Sequence, residues 1–509
     1  MADKTKQEME AGLCSGYHDK HWFDEQYGVG QWRGIPRYPI EQAGDYRCID
    51  DCKRAELNEA TDPCETIVCV SPEFLALITM SFLHFVLHLT NGIVPVWLLL
   101  DGAIEDMWKG YRQIPCLKAE LPFLIFCFVH PSLRRLVFCQ LFGLPFGAVG
   151  AVTQFNRTPM WLTAIARRMF AIMGGHYFDD NAHVDLRGLK GQSQRILRRV
   201  CSAVNIVLSD SKAIEACGIV PFLGFRNDLC FVHEGFTVVG PKLGYREKVV
   251  ALTDRPIESK RMSSGQASSL RGSMGPLDVG LFGRVCRGAT SALIARQYYE
   301  STLDVHGTLL DSLQYVRTTV QRVQDRVIPI GPSPSMPVVI YSDASLEAGI
   351  LTIGAVCFPV TGRPQAFTWV VPHEIVQLAL RGDYNINKGE LLAAPVAIWT
   401  FAHHLYNKDI TWFIDNSAAL ASLIKSSSPK ETMAKICLVS HMALSKLVCR
   451  PWFEWVDSAS NVADPLSRKI GFADPWVQLQ DWEEIEPVQP VWRDLQDLSF
   501  ELLWSSCPG

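Results

Sequence analysis

Apolar and polar positions change their pattern several times along the chain. Long apolar runs fill residues 65–240, where helix-like and strand-like periodicities alternate. Residues 241–328 are more helical, and Leu and Val recur at helical spacing over 301–326. The stretch PIGPSPSMP at 329–337 has four prolines in nine residues. Because proline fits neither a helix interior nor a central strand, the pattern predicts a linker there.

Short strands and helices are mixed after the linker. A strand begins in VVIYSDAS, and the later apolar runs and helical periods follow in a fixed order. The predicted strands lie at 349–359, 365–371, 410–415 and 452–456. The predicted helices lie at 387–406, 416–426 and 430–448. The sequence thus predicts a mixed α/β domain.

The composition shifts divide the chain into five segments. An acidic tail with four tryptophans, which either packs on the body or is partly disordered, follows the second α/β region. The predicted segments are 1–240, 241–328, 329–337, 338–470 and the tail at 471–509. A length of 509 residues suffices for several domains with cores of their own.

Residues 75–100 are apolar enough to raise the possibility of a membrane span. His84, His88, Asn91 and Pro95 interrupt the stretch, and neither flank is basic. A buried helix ending near Asn91, followed by a buried strand, explains the pattern as well. We expect a protein without a membrane partner that lies inside the cell, since the polar start lacks the apolar core of a signal peptide.

Charge and cysteine content narrow the picture only locally. The net charge of −5 gives no general sign of nucleic-acid binding, but residues 242–296 hold ten Lys or Arg and four acids. That basic segment either contacts phosphates or is a solvated helix face. The 16 cysteines form no CxxC pair. Buried free thiols are therefore expected rather than a zinc site.

A first set of carboxylates comes from two apolar stretches of the sequence. YFDD places Asp179 and Asp180 side by side, as at the tip of a tight hairpin, and Asp106 follows the apolar run VWLLLDGAI. A lone acidic pair is ordinarily an exposed turn. Three carboxylates that meet at strand ends, however, can hold two divalent ions for nucleotidyl transfer.

A second set of carboxylates occurs after the linker, each at the end of a predicted core element. The four acids are Asp343, Glu390, Asp415 and Asp464. Any one of them has an ordinary structural role available: Asp415 could cap a helix, and Asp464 could cap a turn. Four such positions together favour a metal-binding site.

The order of motifs in the first region resembles that of reverse transcriptases. EDMWKGYRQIP (105–115) is similar to motif A, LPFGAVGAVTQF (144–155) to motif B and YFDD (177–180) to motif C. SDSKAIEACGIVPFLGF (209–225) is similar to motif D with the primer grip, and YRCIDDCKRAELN (46–58) to the fingers motif. The pattern is most similar to retroelements of the DIRS type and related protist elements.

This resemblance implies roles for individual residues. Asp106, Asp179 and Asp180 would be the catalytic metal ligands, Tyr111 the steric gate against a ribose 2′-hydroxyl, and Lys212 a general acid, unless it is simply a surface lysine. The remaining nucleotide-binding and primer-grip positions would be Arg47, Phe146, Gly147, Phe222, Leu223 and Gly224. The family's fingers lysine is missing shortly before Arg47, and Asn181 stands where a hydrophobic residue is commoner.

The second carboxylate set resembles that of ribonuclease H, whose four acids bind two Mg²⁺ ions. Asp343, Glu390, Asp415 and Asp464 would be those ligands, and NVADPLSR around the last is especially similar to the retroelement version. The histidine that often assists product release has no counterpart at 451–468.

Together the resemblances imply a right-hand polymerase of fingers, palm and thumb, followed by a ribonuclease H-like mixed-sheet domain. The expected activity is RNA-directed DNA synthesis with cleavage of RNA in hybrids, with two Mg²⁺ or Mn²⁺ ions at each site. The expected partners are an RNA template, a DNA primer, an RNA–DNA hybrid and dNTPs. The alternative is a decayed or domesticated copy that binds nucleic acid without catalysis.

Overall fold

The chain folds into two compact units. The computed structural model describes residues 1–42, 44–62, 65–331, 336–380, 385–468, 470–491 and 499–507. The first unit comprises Met1–Phe222 and Asn227–Gly235, and the second comprises Leu223–Arg226 and Phe236–Gly509. Helices and strands alternate in both units, so the predicted mixed α/β class is confirmed. Residues 332–335 of the expected linker and Trp492 of the tail lie outside the described residues.

The first unit contains two sheets with helices packed around them. Its helices are α1 (Ala2–Glu10), α2 (Lys20–Tyr27), α3 (Phe74–Leu89), α4 (Gly110–Gln113), α5 (Val149–Phe170) and α6 (Gln192–Ala203). Its strands are β1 (Gly34–Gln42), β2 (Asp45–Asp50), β3 (Leu100–Asp106), β4 (Ile125–His130), β5 (Arg135–Gln140), β6 (Met173–Tyr177), β7 (Asp180–Leu186), β8 (Ile214–Cys217) and β9 (Ile219–Phe222). The next strand, β10 (Phe225–Asp228), spans the boundary of the two units.

The sheet that positions the first carboxylate set has the strand order β6-β7-β3-β8. All its pairings are antiparallel. Phe155 and Leu162 of α5 and Leu197 of α6 are buried together in one apolar cluster. These large side chains recur at helical spacing, which explains why both helices bury one face.

The apolar stretch at 75–100 forms a helix, α3, but its strand starts later than the sequence indicated. Strand β3 begins only at Leu100, and residues 93–99 lie outside any strand. Pro95 within them has no N–H to donate to a sheet. Among the described residues, no helix is both long and apolar enough to cross a membrane.

The second unit contains a helical part and a larger sheet. Its helices are α7 (Tyr245–Ser259), α8 (Ser264–Gly280), α9 (Arg287–Tyr298), α10 (Gly307–Arg322), α11 (His373–Leu380), α12 (Ile386–Thr400), α13 (Ala402–Leu405), α14 (Ser417–Lys425), α15 (Glu431–Lys446), α16 (Asp464–Ser467), α17 (Pro475–Gln478) and α18 (Phe500–Ser506). Its strands are β11 (Phe236–Pro241), β12 (Arg326–Pro329), β13 (Val338–Glu347), β14 (Ile350–Phe358), β15 (Gln365–Val370), β16 (Asp409–Ile414), β17 (Arg450–Trp455) and β18 (Glu483–Glu484).

The larger sheet has the strand order β17-β16-β13-β14-β15-β18. Strands β13, β14 and β15 form an antiparallel meander, whereas β16 and β17 run parallel to β13. The five strands from β17 to β15 thus have the order and directions expected for a ribonuclease H-like domain, and the two-residue β18 adds an edge strand. One continuous core joins the apolar residues of this sheet with those of α12, α15 and the helices α7 to α10. Helix α18 of the tail packs into it through Phe500 and Leu503.

Two sequence expectations for this unit need correction. The helix expected over 387–406 is two helices: α12 ends at Thr400 and α13 begins at Ala402, and the buried ring of Phe401 between them lies 5.6 Å from that of Phe367. In the basic segment, Arg246 and Arg296 have structural roles. Arg246 pairs with Asp325 at 2.6 Å, and the buried Arg296 donates to backbone carbonyls. These two arginines are therefore held by protein groups rather than presented to a phosphate.

Candidate active sites

The first carboxylate set meets at one end of the β6-β7-β3-β8 sheet. Asp106 is the last residue of β3 and Asp180 the first of β7, and the register pairs them directly. The β6–β7 hairpin turns through Phe178 and Asp179, with φ of 52° at Phe178. The carbonyl of Asp179 accepts a hydrogen bond from the backbone N–H of Met107 at 3.0 Å. The strand register therefore brings together the three acids that the sequence singled out.

Cationic side chains act on these acids. The Lys212 ammonium donates to both carboxylate oxygens of Asp106, at 3.0 and 2.9 Å. Burial raises the pKa of Asp179, as does the charge of Asp106, while Lys212 and Arg47 lower it. Lys212 and Arg47 thus act electrostatically on the acids that the sequence grouped with them. Within the described residues, these acids do not form a three-ligand cluster with all ligand atoms within 4.8 Å of one another.

An aromatic group adjoins this site. Tyr111 stacks on Phe155, with ring centroids 4.4 Å apart, and meets Phe146 edge-on at 5.6 Å. Burial raises the pKa of Tyr111 to about 12, and the charge of Asp179 adds to the shift. Gly147 has φ of 124°, and a Cβ there would lie 2.5 Å from the carbonyl oxygen of Asp50. The structure thus brings Tyr111 and Phe146 into contact and requires glycine at 147.

The predicted primer grip forms a tight turn between β9 and β10. Phe222 is buried, and φ is 49° at Leu223 and 87° at Gly224. Positive φ at two successive residues is typical of a two-residue hairpin turn. Contact of these residues with a primer stays a prediction.

The second carboxylate set converges from four separate segments of the second unit. Ser342 of β13 pairs with Ile414 of β16, so Asp415 follows the end of β16 beside Asp343. Asp343 itself lies within β13, because that strand continues to Glu347 in its pairing with β14, and the sequence expectation that Asp343 ends a strand was wrong. Glu390 comes from the first turns of α12, and Asp464 begins α16. All four acids line one open cleft of about 690 Å³.

Three of these acids form a compact group, in which Asp343 and Glu390 are buried and Asp415 is partly exposed. Single carboxylate oxygens of Asp343, Glu390 and Asp415 all lie within 4.8 Å of one another. Burial raises the pKa of Asp343 to about 7 and that of Glu390 to about 10, and neighbouring carboxylates add to both shifts. Glu390 Oε2 and Asp415 Oδ1 are buried without a hydrogen-bond partner. Hard oxygen ligands left unsatisfied in this way fit a divalent cation.

The sequence left open that Asp415 caps a helix and that Asp464 caps a turn. Neither carboxylate acts as such a cap. The N-cap of α14 is Asn416, whose side chain accepts from the backbone N–H groups of Ala418 and Ala419. The carboxylate of Asp464 instead pairs with Arg468, at 2.5 Å. Asp415 and Asp464 are thus available to the cleft rather than used to end a backbone element.

Sequence reasoning missed Ser467 and Arg468. The Ser467 hydroxyl donates a hydrogen bond to Asp343 Oδ2, which favours the ionised carboxylate and lowers its pKa. Arg468 also pairs with Glu347, at 3.4 Å. The four-residue spacing of Asp464 and Arg468 was a visible signal for their ion pair. The link from Ser467 to Asp343 spans 124 residues and had no local signal.

Two glycines permit the close packing that assembles the cleft. A Cβ at Gly354 of β14 would lie 2.6 Å from the backbone nitrogen of Ser467. A Cβ at Gly389 would lie 2.5 Å from the side chain of Leu351. The first glycine lets α16 approach the sheet, and the second lets α12 bring Glu390 beside Asp343.

Comparisons with known proteins give similarity in structure alone. No family model matches the chain, and no curated protein matches its sequence. A solved foamy viral protease-reverse transcriptase in complex with dsDNA has a TM-score of 0.47 at 14% identity, covering 89% of this chain and 81% of that one. Its dRH form with ds DNA has a TM-score of 0.46 at 14% identity, covering 88% and 68%. The complex with an RNA/DNA hybrid has a TM-score of 0.41 at 14% identity, covering 86% and 54%.

Proposed function

We propose that the chain is an RNA-directed DNA polymerase with ribonuclease H activity, of a retroelement similar to the DIRS type. The observation that carries the proposal is the convergence of Asp343, Glu390, Asp415 and Asp464 on one cleft of a ribonuclease H-like sheet. Four acids from distant segments, with buried unsatisfied oxygens, have no structural role that explains all of them. The proposed substrates are an RNA template, a DNA primer, dNTPs and the RNA–DNA hybrid.

In the nuclease site the four acids would hold Mg²⁺ or Mn²⁺. Bound divalent cations would supply an activated water and charge stabilisation for the leaving 3′-oxygen. Ser467 keeps one oxygen of Asp343 oriented and favours its ionised form. Arg468 orients Asp464 at the edge of the cleft. The raised pKa values of Asp343 and Glu390 mean that this group carries protons near neutral pH, which a cation would displace.

In the polymerase site Asp106, Asp179 and Asp180 would hold the same ions. Tyr111, fixed by its stacking on Phe155, would exclude a ribose 2′-hydroxyl. Lys212 neutralises Asp106 in the resting site and would protonate the leaving pyrophosphate once it is released from that carboxylate. Arg47, Phe146 and Gly147 would contact the nucleotide, and Phe222, Leu223 and Gly224 the primer. We propose residues 1–240 as fingers and palm, 241–328 as thumb and connection, 329–337 as linker, 338–470 as nuclease and 471–509 as tail.

The test measures both activities on the same protein preparations. With Mg²⁺ or Mn²⁺, the purified chain should extend oligo(dT) on poly(rA) and cleave labelled RNA in a hybrid. Asp343→Asn should abolish cleavage and keep extension, and Asp179→Asn should do the reverse. Asp481→Asn, at an exposed acid outside both sites, is the control. Cleavage that persists in Asp343→Asn would remove this residue from the site.

A chain that binds nucleic acid without catalysis is the second candidate. The Lys212 ammonium on Asp106 and the missing fingers lysine favour it for the polymerase half. Hybrid binding with no extension and no cleavage in the same assays, unchanged by either substitution, would establish this candidate instead.

A further inference from the structure

An apolar stripe runs along the outer face of α3 and into the loop that follows. Leu77, Phe85 and Leu89 are spaced at multiples of four residues, which places them on one face of the helix. The full apolar stripe consists of Leu77, Phe85, Leu89, Ile93, Val96 and Trp97. Each of these side chains is at least 51% exposed, and Val96 is 93% exposed. The opposite face of α3, with Leu75 and Leu83, is buried in the first unit.

The stripe exposes more apolar surface than the packing of the first unit accounts for. Its exposed fractions amount to roughly 600 Å² of apolar side-chain surface, given the usual sizes of such side chains. Patches at or above this size on soluble proteins mark interaction sites. Two such faces in contact would bury roughly 1,200 Å² in total, which is at the lower end of specific protein interfaces.

The charge of the segment indicates which partner fits. Residues 74–100 contain no Asp, Glu, Lys or Arg, and His84 and His88 are their only titratable side chains. A twofold contact sets each surface patch against its own copy, so any charge there would meet a like charge. The side chains of the apolar stripe carry no charge, and the exposed His84 and His88 on the same face of α3 are the only ionisable groups within 74–100. The same lack of Lys and Arg gives no attraction to the anionic headgroups of a membrane surface.

We propose that the apolar stripe is a homodimer interface, in which α3 and the 93–97 loop of one copy pack against the same elements of a second copy. Because the stripe is uncharged, it can pack against its own copy without repulsion. Its area is that of a dimer of moderate affinity. The carboxylate sites play no part in this contact, so the proposal is independent of the proposed function.

Sedimentation equilibrium of the purified full chain tests the interface. We expect a monomer–dimer equilibrium with a dissociation constant in the micromolar range. Phe85→Glu and Val96→Glu each place a carboxylate, and its copy in the partner, within the proposed apolar contact. Each should therefore weaken the dimer by roughly a hundredfold. Leu243→Glu, at a side chain 91% exposed outside the stripe, is the matched control and should leave the dimer unchanged.

The outcomes separate the proposal from its rivals. Circular dichroism must show each variant folded, and Val96→Glu keeps the test valid if Phe85→Glu fails to fold. A chain that is monomeric at about 100 µM overturns the proposal, as does a dimer that survives both substitutions. Co-sedimentation of a monomeric chain with phosphatidylcholine vesicles, lost in Val96→Glu, would overturn it in favour of a lipid surface.

Discussion

In the first unit the carboxylate of Asp106 has a protein cation, Lys212, at 2.9 Å. In the second unit the carboxylates of Asp343, Glu390 and Asp415 are crowded within 4.8 Å of one another, and two of their oxygens are buried without a partner. Lys212 neutralises Asp106, although burial and the charge of Asp106 still raise the pKa of Asp179. In the second site only some of the carboxylate oxygens have a partner. Burial and repulsion between the carboxylates therefore raise the pKa of Asp343 and Glu390.

The two sites therefore differ in how their carboxylates would bind a metal ion. A crowded group of carboxylates is a preformed cation site, since a divalent ion removes the repulsion that the fold imposes. Carboxylates that already have a counter-ion would instead gain a metal together with the phosphates of a nucleotide, as Mg²⁺ sites with few protein ligands commonly do. The second unit should therefore bind a free divalent ion more tightly than the first.

The largest expected effect is on the binding of free Mn²⁺, measured by the electron paramagnetic resonance of the unbound ion. Glu390→Gln removes a buried ligand and should weaken the tight site about a hundredfold or more, beyond the usual effect of losing an outer-shell partner. Asp106→Asn should leave that tight site unchanged. Glu454→Gln, an exposed acid on β17, controls for charge. If Asp106→Asn abolished tight binding and Glu390→Gln did not, the tight metal site would lie in the first unit rather than in the second.

The units also differ in how they bury a histidine, which gives the next effect. Both ring nitrogens of His183 on β7 lack a hydrogen-bond partner among the described residues, whereas Nε2 of His441 lies 2.8 Å from the carbonyl oxygen of Leu423. Despite this difference in hydrogen bonding, burial lowers the pKa of both histidines to about 4. Because the unfolded histidine titrates near pH 6.5, the unfolded state binds the extra proton between these values. The stability is therefore complete above about pH 6.5 and falls as the pH drops towards 4.

Between pH 7 and pH 5, His183 should cost the first unit about 2 kcal/mol of unfolding free energy. Urea unfolding measures this loss when the unfolding of the first unit is detected by the protease sensitivity of its peptides. His183→Leu should remove the acid-dependent part, and His233→Leu, at a half-exposed histidine, should not. A loss of the same size in His183→Leu would show that other groups cause the acid sensitivity.

Most of the candidate acids could be found from the sequence because they lie at or near the end of a strongly patterned element, whereas Asp343 lies within one. Asp106 ends the apolar run that forms β3, and Asp343 lies within the run that forms β13. Strand ends are where a sheet exposes polar groups, so their position carried the signal. The α/β class followed from the same periodicities.

What the sequence did not show depends on contacts between distant segments. The hydrogen bond from Ser467 to Asp343 and the ion pair of Lys212 with Asp106 join residues 124 and 106 positions apart. Their geometry depends on packing that no local pattern encodes. The turn at Phe401 likewise coincides with a contact of its ring with Phe367 in the core. Local helix propensity across 387–406 gave no sign of this turn.

The smallest expected effect concerns the ion pair at the first site. Lys212 is 61% exposed, so its pair with Asp106 contributes about 1 kcal/mol after solvent screening. In a Glu390→Gln background, where the tight site is weakened, Lys212→Met should strengthen Mn²⁺ binding at the first site about fivefold, since the ion no longer competes with the ammonium. Lys212→Arg keeps the charge and should not strengthen it. Weaker Mn²⁺ binding in Lys212→Met would mean that the lysine orients Asp106 for the metal rather than competing with it, and the contrast between the two sites would then rest on the carboxylates alone.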